Sequence, residues 1–238
     1  MNAQSEREAR LSANVDSVRR RMDAAARRAG RSPTDVRLVA VTKYVDADTA
    51  AALMRVGCQD LGESRPQELW KKAESLADLT PRWHFIGHLQ RNKVRRTLPL
   101  VSMVHSGDSV RLLEEIAAWS RENARRTPVL LEVNISGDSA KHGFAPNELE
   151  SSLPAIARLD GVAVRGLMAM SGVDSGPEQT RREFATVCRL RDHLRRIAPS
   201  ELEWDESSMG MSDDFEIAIE EGATLVRVGS ALFEGLDS

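Results

Sequence analysis

Hydrophobic positions along the chain follow two successive rhythms. Between residues 11 and 30, Leu11, Val15, Val18, Met22, Ala25 and Ala29 recur at spacings of three and four. That spacing predicts one amphipathic helix, with Gly30 placed to end it. From residue 36 the pattern shortens. VRLVAVT (36–42) is an apolar run rich in β-branched residues, which predicts a buried strand. Asp46 or Asp48 then caps a helix reaching Arg55, and Gly57 stops it. Strand-like runs recur at 59–61, 83–86, 101–105, 129–134, 162–168, 201–205 and 224–228. Helical stretches separate them at 66–77, 92–97, 110–125, 146–158, 177–197 and 213–221. Asp108, Pro146, Pro177 and Ser212 stand where several of these helices begin, and a short apolar tail at 231–233 starts an eighth.

Strict alternation of strand and helix implies parallel strands joined by right-handed crossovers. Eight such units predict a (β/α)8 TIM barrel with an extra N-terminal helix, residues 1–32, packing on it. The 238 residues lie near the roughly 250 typical of that fold. An open doubly wound sheet would want a glycine-rich turn after the first strand, and VTKYVDAD has no glycine. No Pro-, Gly- or Ser-rich linker divides the chain, so one domain spanning 1–238 is expected.

Composition changes this picture little. Hydrophobic residues make up 41% and aromatic residues 4%, so the core must be mainly aliphatic. A net charge of −3 gives no case for a nucleic-acid partner. The arginines at 19–21, 27 and 28 read as a solvated helix face. Cys58 and Cys188 are far apart, which suggests neither a zinc site nor a disulfide framework. No stretch approaches the roughly 20 apolar residues of a membrane span, and MNAQSEREAR is polar. A cytoplasmic protein without a membrane partner is expected.

A barrel carries its chemistry at the C-terminal ends of its strands. Lys43 ends the first predicted strand. Glu63 and Ser64 follow the second. His84 lies in the third, with Gly87 and His88 after it. His105 ends the fourth and Asn134 the fifth. Burial favours the neutral form of an amine, and a neutral amine attacks carbonyl compounds to form a Schiff base. The bland alternative is a snorkelling Lys43 paired with Glu63. At the far end of the chain, SSMGMSDD (207–214) leads into a helix and VRVGSALF (226–233) closes the last strand on Gly229 and Ser230. Loops after strands seven and eight commonly hold phosphate in barrels. Alternatively, Ser212 is a helix cap and Gly229 a turn. Strand eight closes against strand one, so an aldehyde that carries a phosphate would bridge the two signals, and pyridoxal phosphate is such a molecule. Arg227 lies on the same strand face as Gly229, where a guanidinium would face the ring nitrogen. It would otherwise be an interior partner of Glu203 or Asp205.

The blocks AVTK, LGES, WHFIGHLQRNK, EVNISGDSAKHGF, RGLMAM and SMGMSDDFEIAIEEGATLVRVGSALF together resemble the pyridoxal phosphate homeostasis protein family. Its members are single-domain relatives of the N-terminal barrel of alanine racemase, and the resemblance runs from about Val36 to Phe233. It implies that Lys43 forms the internal aldimine with pyridoxal phosphate. It also implies that Ser212, Gly229 and Ser230 hold the phosphate, that Met209, Gly210 and Met211 shape the loop, and that Arg227 faces the pyridine nitrogen. Ser64 and His84 complete the expected cofactor-binding set, and Lys141 matches a lysine usual in the family. Ser64 stands where the family often has Asn, and a hydroxyl reaches less far than an amide. His88 stands where proline is common.

Three functions follow. The family implies a carrier or buffer of the cofactor that regulates vitamin B6 and amino-acid pools, with PLP-dependent apo-enzymes as recipients and no established catalytic reaction. A monomer or weak homodimer is expected. A PLP-dependent racemase is the alternative, but racemisation needs bases on both faces of the substrate carbon. The single tyrosine, Tyr44, adjoins Lys43, and no second domain is expected. The third reading is a barrel aldolase using Lys43 without cofactor.

Overall fold

The computed structural model describes residues 3–136, 142–172 and 175–236. Helix α1 (Ala3–Arg28) comes first. There follow β1 (Arg37–Val41), α2 (Ala47–Arg55), β2 (Asp60–Glu63), α3 (Pro66–Ser75), β3 (Arg82–Phe85), α4 (Val94–Thr97), β4 (Val101–Gly107) and α5 (Val110–Glu122). The second half is β5 (Thr127–Glu132), α6 (Pro146–Ile156), β6 (Val162–Met168), α7 (Pro177–Ile197), β7 (Glu206–Ser208), α8 (Phe215–Glu220) and β8 (Leu225–Val228). The strands pair in sequence order, all parallel, and β8 returns to β1, so the sheet closes. This is the expected (β/α)8 barrel with an additional N-terminal helix.

Local chemistry explains many of the boundaries. The Asp46 carboxylate accepts the Thr49 N–H at 2.8 Å and starts α2. Proline occupies the first turn of α3, α6 and α7, where its missing N–H costs nothing. Ser109, rather than Asp108, caps α5. β4 runs on to Gly107, so His105 lies inside the strand instead of ending it, and Asn134 falls beyond β5. In place of an eighth helix after β8 there is a single 3-10 turn, Ser230–Leu232, which Phe233 caps.

The seventh strand lies elsewhere than the alternation at 201–205 predicts. Leu202 and Trp204 are indeed buried, but they join the outer core as loop residues. The ladder instead takes Glu206–Ser208, paired with Gly166–Met168. Gly166 permits this, because a Cβ there would stand 1.9 Å from the Glu206 carbonyl oxygen.

Two buried clusters result. The larger fills the space between strands and helices. The smaller comprises Val39, Met103, Leu130, Met168 and Leu225, from five different strands, and plugs the barrel's centre. Side chains alternate along a strand, so Arg227 shares the inward face with Leu225, and His105 shares it with Met103. The interior is therefore an aliphatic plug with a polar layer beside it.

Helix α1 buries Leu11, Val15, Val18, Met22, Ala25 and Ala26. It packs on α8 and the 3-10 turn, held by Arg21–Glu216 at 2.9 Å and Arg28–Glu220 at 2.7 Å. The Asn14 amide donates to the carbonyls of Leu232 and Glu234 at 3.1 and 2.9 Å. Among the described residues no helix is long and apolar enough to cross a membrane.

Candidate functional site

The strands that close the barrel deliver the first groups. Ala40 of β1 lies opposite Val228 of β8. Lys43 stands two residues beyond β1, in a turn, and Gly229 and Ser230 follow β8 directly. A Cβ on Gly229 would meet Val41 at 3.4 Å, so the two strand ends are in contact. Lys43 is half-buried, with its Nζ 4.9 Å from the centre of the Tyr44 ring. Tyr44 itself is 79% exposed.

The pairing of Lys43 with Glu63 is overturned. Lys72, on α3, takes that carboxylate at 2.5 Å and also donates to the Thr42 carbonyl at 2.6 Å. Both partners are buried. The Thr42 hydroxyl adds a bond to the same Glu63 oxygen at 3.1 Å. Glu63 is thereby committed to bracing the backbone next to Lys43. Among the described residues no carboxylate pairs with Lys43.

Beyond β8, beside the end of β1, the chain and the loop after β7 are joined by hydrogen bonds. Ser212 does not cap α8, which begins three residues later. Its hydroxyl oxygen accepts the N–H groups of Gly229 at 3.2 Å and Ala231 at 3.3 Å. Met209 is fully buried and Met211 is 42% exposed. Between them Gly210 adopts φ +83°, and a Cβ there would stand 2.6 Å from that of Ala218. The Met211 N–H donates to Asp214 at 2.6 Å, and the Ser171 hydroxyl donates to the same carboxylate at 2.8 Å. The loop is thus pinned from both sides. The Gly229 and Ala231 amides, now bonded to Ser212 Oγ, together with the hydroxyls of Ser212 and Ser230, are groups that could turn to an anion such as phosphate.

Arg227 is buried and does not reach Glu203 or Asp205, both of which pair with Arg165. It donates instead to the Ser208 hydroxyl at 2.6 Å and the Ala169 carbonyl at 3.0 Å. Burial lowers its pKa to about 10, opposed by Asp214 and Glu132. From Ser208 a buried chain runs across the barrel. Ser208 Oγ meets His105 Nδ1 at 2.9 Å, His105 Nε2 meets His84 Nδ1 at 2.8 Å, and His84 Nε2 meets Asp60 at 2.9 Å. Arg82 donates twice to Asp60, at 2.9 and 2.7 Å.

The ends of this chain fix its direction. Burial raises the Asp60 pKa, but the bonds from Arg82 and His84 outweigh it and hold the carboxyl well below its usual range. An ionised carboxylate only accepts. With neutral imidazoles the protons assign one way: Arg227 to Ser208, Ser208 to His105, His105 to His84, His84 to Asp60. Burial, reinforced by the neighbouring Arg227 guanidinium, holds His105 well below the ordinary histidine pKa. His84 therefore has both ring nitrogens engaged inside the barrel.

Ser64 is half-buried, its N–H on Glu63 at 3.2 Å. Lys141 lies outside the described residues. Lys72, Asp60 and Ser208 were not picked out from the sequence. Lys72 did carry a signal, a cation on the apolar stripe that runs from Leu69 of α3 to Leu76 just past its end. Asp60 carried a similar one, an acid beginning a buried strand.

A closed parallel barrel with a lysine just beyond its first strand and a Gly–Ser turn just beyond its last has the layout of the alanine racemase barrel class. Accordingly, residues 13–237 match the family model for the alanine racemase N-terminal domain. The chain is 40% identical to the pyridoxal phosphate homeostasis protein of Aquifex aeolicus (strain VF5), over 91% of this chain and 94% of that one. It is 35% identical to a crystal structure of an unknown protein from Bifidobacterium adolescentis, with a TM-score of 0.91 covering 98% of this chain and 97% of the other. PipY of Synechococcus elongatus, solved with PLP bound, is 32% identical with a TM-score of 0.84, over 94% and 99% of the two chains. The chain belongs to the pyridoxal phosphate homeostasis protein family.

Proposed function

We propose that this protein binds pyridoxal phosphate at the C-terminal mouth of its barrel and carries or buffers it, regulating vitamin B6 and amino-acid pools in the cytoplasm. The whole chain is one cofactor-binding unit, a monomer or weak homodimer, with PLP-dependent apo-enzymes as recipients. The observation that carries the reading is the meeting of two donor groups where the barrel closes. Lys43 leaves β1 and the Gly229–Ser230 cradle leaves β8, with the two strand ends in contact. The donor set fits the group. Bound pyridoxal phosphate supplies an exchangeable aldehyde and an electron-withdrawing ring.

Lys43, free of Glu63, offers the amine that takes the aldehyde. Ser212, Ser230 and the amides of 229–231 hold the phosphate, within the loop shaped by Met209, Gly210 and Met211. Arg227, held by Ser208 and the Ala169 carbonyl, would lie toward the ring nitrogen and as a cation would disfavour its protonation. Ser64 lines the side toward β2, and His84 supports Arg227 through His105 and Ser208. Carriage is favoured over racemisation by the position of Tyr44, whose ring lies beside the Lys43 ammonium and so offers no base on the opposite face.

The test is the visible absorption spectrum of the protein with added pyridoxal phosphate, beside Lys43→Ala. A yellow band in the wild type alone is the expected result. No band in either protein would overturn the cofactor reading, and equal bands would move the attachment to another lysine. Ser212→Ala and Ser230→Ala should each weaken binding by about 1–3 kcal/mol.

A further inference from the structure

On the arc of the rim away from β1 and β8, three strand ends bring together side chains that the cofactor reading does not use. His88 follows β3 and Asp108 follows β4. His142 lies on the segment that returns to β5. His88 Nδ1 lies 2.7 Å from Asp108 Oδ2. The His88 and His142 rings stack at 4.0 Å with an interplanar angle of 11°. One donor atom from each of the three residues lies within 4.8 Å of the others.

Backbone packing holds each of these residues in place, because each adjoins a glycine with no room for a Cβ. At Gly87 a Cβ would stand 2.2 Å from the Ser64 carbonyl oxygen. At Gly107 it would stand 2.7 Å from Val129 Cγ1. At Gly143, with φ +105°, it would stand 2.9 Å from the Glu132 carbonyl oxygen. The segment carrying His142 is further tied by Phe144 N–H to Glu132 at 2.8 Å and Asn134 N–H to Phe144 at 3.0 Å. The Ser109 hydroxyl donates to Asp108 Oδ1 at 3.0 Å and orients the carboxylate.

A hydrogen-bonded His88–Asp108 pair alone would need no second imidazole. His142 makes no side-chain hydrogen bond among the described residues, yet its ring is laid on that of His88. We propose that His88, Asp108 and His142 form a binding site for a divalent cation of the zinc class. Two imidazoles and a carboxylate are the donors that borderline cations prefer, whereas magnesium and calcium want more oxygens. Ligands of one tetrahedral zinc at about 2.0–2.1 Å stand about 3.3 Å apart. To close on an ion, the two stacked rings rotate out of parallel so that both planes meet it, and the donors draw in from within 4.8 Å of one another. Three protein ligands leave one position for water or an oxygen or nitrogen ligand entering the barrel mouth.

The test uses the full chain without pyridoxal phosphate, so its outcome is independent of the cofactor reading. Zn2+ is titrated by calorimetry and Co2+ by its visible ligand-field absorption, in the wild type and in His88→Ala, His142→Ala and His193→Ala. His193 pairs with Glu150 at 3.3 Å on the surface and serves as the control histidine. One saturable equivalent is expected, weakened at least about tenfold in His88→Ala and His142→Ala and unchanged in His193→Ala. No saturable binding would overturn the site, as would binding that survives equally in His88→Ala and His142→Ala.

Discussion

At the scale of single residues, the Lys72–Glu63 pair decides what Lys43 is free to do. Removing one member of a buried ion pair leaves the other charged and unpartnered, at a cost of about 3–5 kcal/mol. Lys72→Met should therefore lower unfolding stability by that order in urea titrations. It should also weaken the visible band with pyridoxal phosphate, because Glu63 becomes available to Lys43. The double variant Lys72→Met with Glu63→Gln should recover much of the lost stability. A double variant as unstable as the single one would count against the pairing argument. The positions of Lys43 beyond β1 and of Gly229 and Ser230 beyond β8 were legible in the sequence because each follows an apolar run. The brace was not, because it joins α3 to β2 and the turn after β1, and no local rhythm encodes that contact. A lysine on an apolar helix stripe was the available sign.

At the scale of elements, legibility followed apolar run length. VAVRGLM and the proline-headed helix after it give β6 and α7 with the expected bounds, because burial and helix entry both show in residue type. β7 was invisible in Glu206–Ser208, three polar residues whose strand character comes from their neighbour. Gly166 supplies the missing half of that information. Its backbone has φ +142°, and its bare α-carbon accepts the Glu206 carbonyl. Gly166→Ala should cost about 2 kcal/mol or more through strain and displaced pairing. For a chain of this size that corresponds to a melting temperature lowered by roughly 4–8 °C. Hydrogen exchange should show the loss first in the amides of β6 and β7. Uniform loosening of all eight strands would argue that the contact is not local.

At the scale of the whole molecule, the polar chain from Arg227 to Asp60 makes the barrel's stability depend on pH in two windows. His105 faces His84, Arg227, Arg37 and Asp60, and its folded pKa lies well below 6.5. The unfolded chain therefore binds a proton that the folded chain refuses once pH falls below about 6.5. Stability should decline on acidification there, by at most about 1.4 kcal/mol per pH unit for one group. Asp60 is held low, so its contribution is present above about pH 4 and is lost as pH falls further. His105→Gln should flatten the slope between pH 6.5 and 5 while leaving the lower window in place. An unchanged slope there would assign the acid sensitivity to other groups.

The two halves of the proposed cofactor site lie on strands that are neighbours in space and the first and last of the eight in sequence. That separation bears on the order in which the chain emerges from the ribosome. A nascent polypeptide presents Lys43 long before Ser212 and Ser230 exist to face it, and β1 waits for β8 through the synthesis of six other strands. Such distant pairing is slow to form. Until it does, the lysine is an amine with no phosphate cradle beside it. Uptake of the cofactor on translating ribosomes would thus time the last step of barrel assembly, with arrested chains that stop before Gly229 remaining colourless.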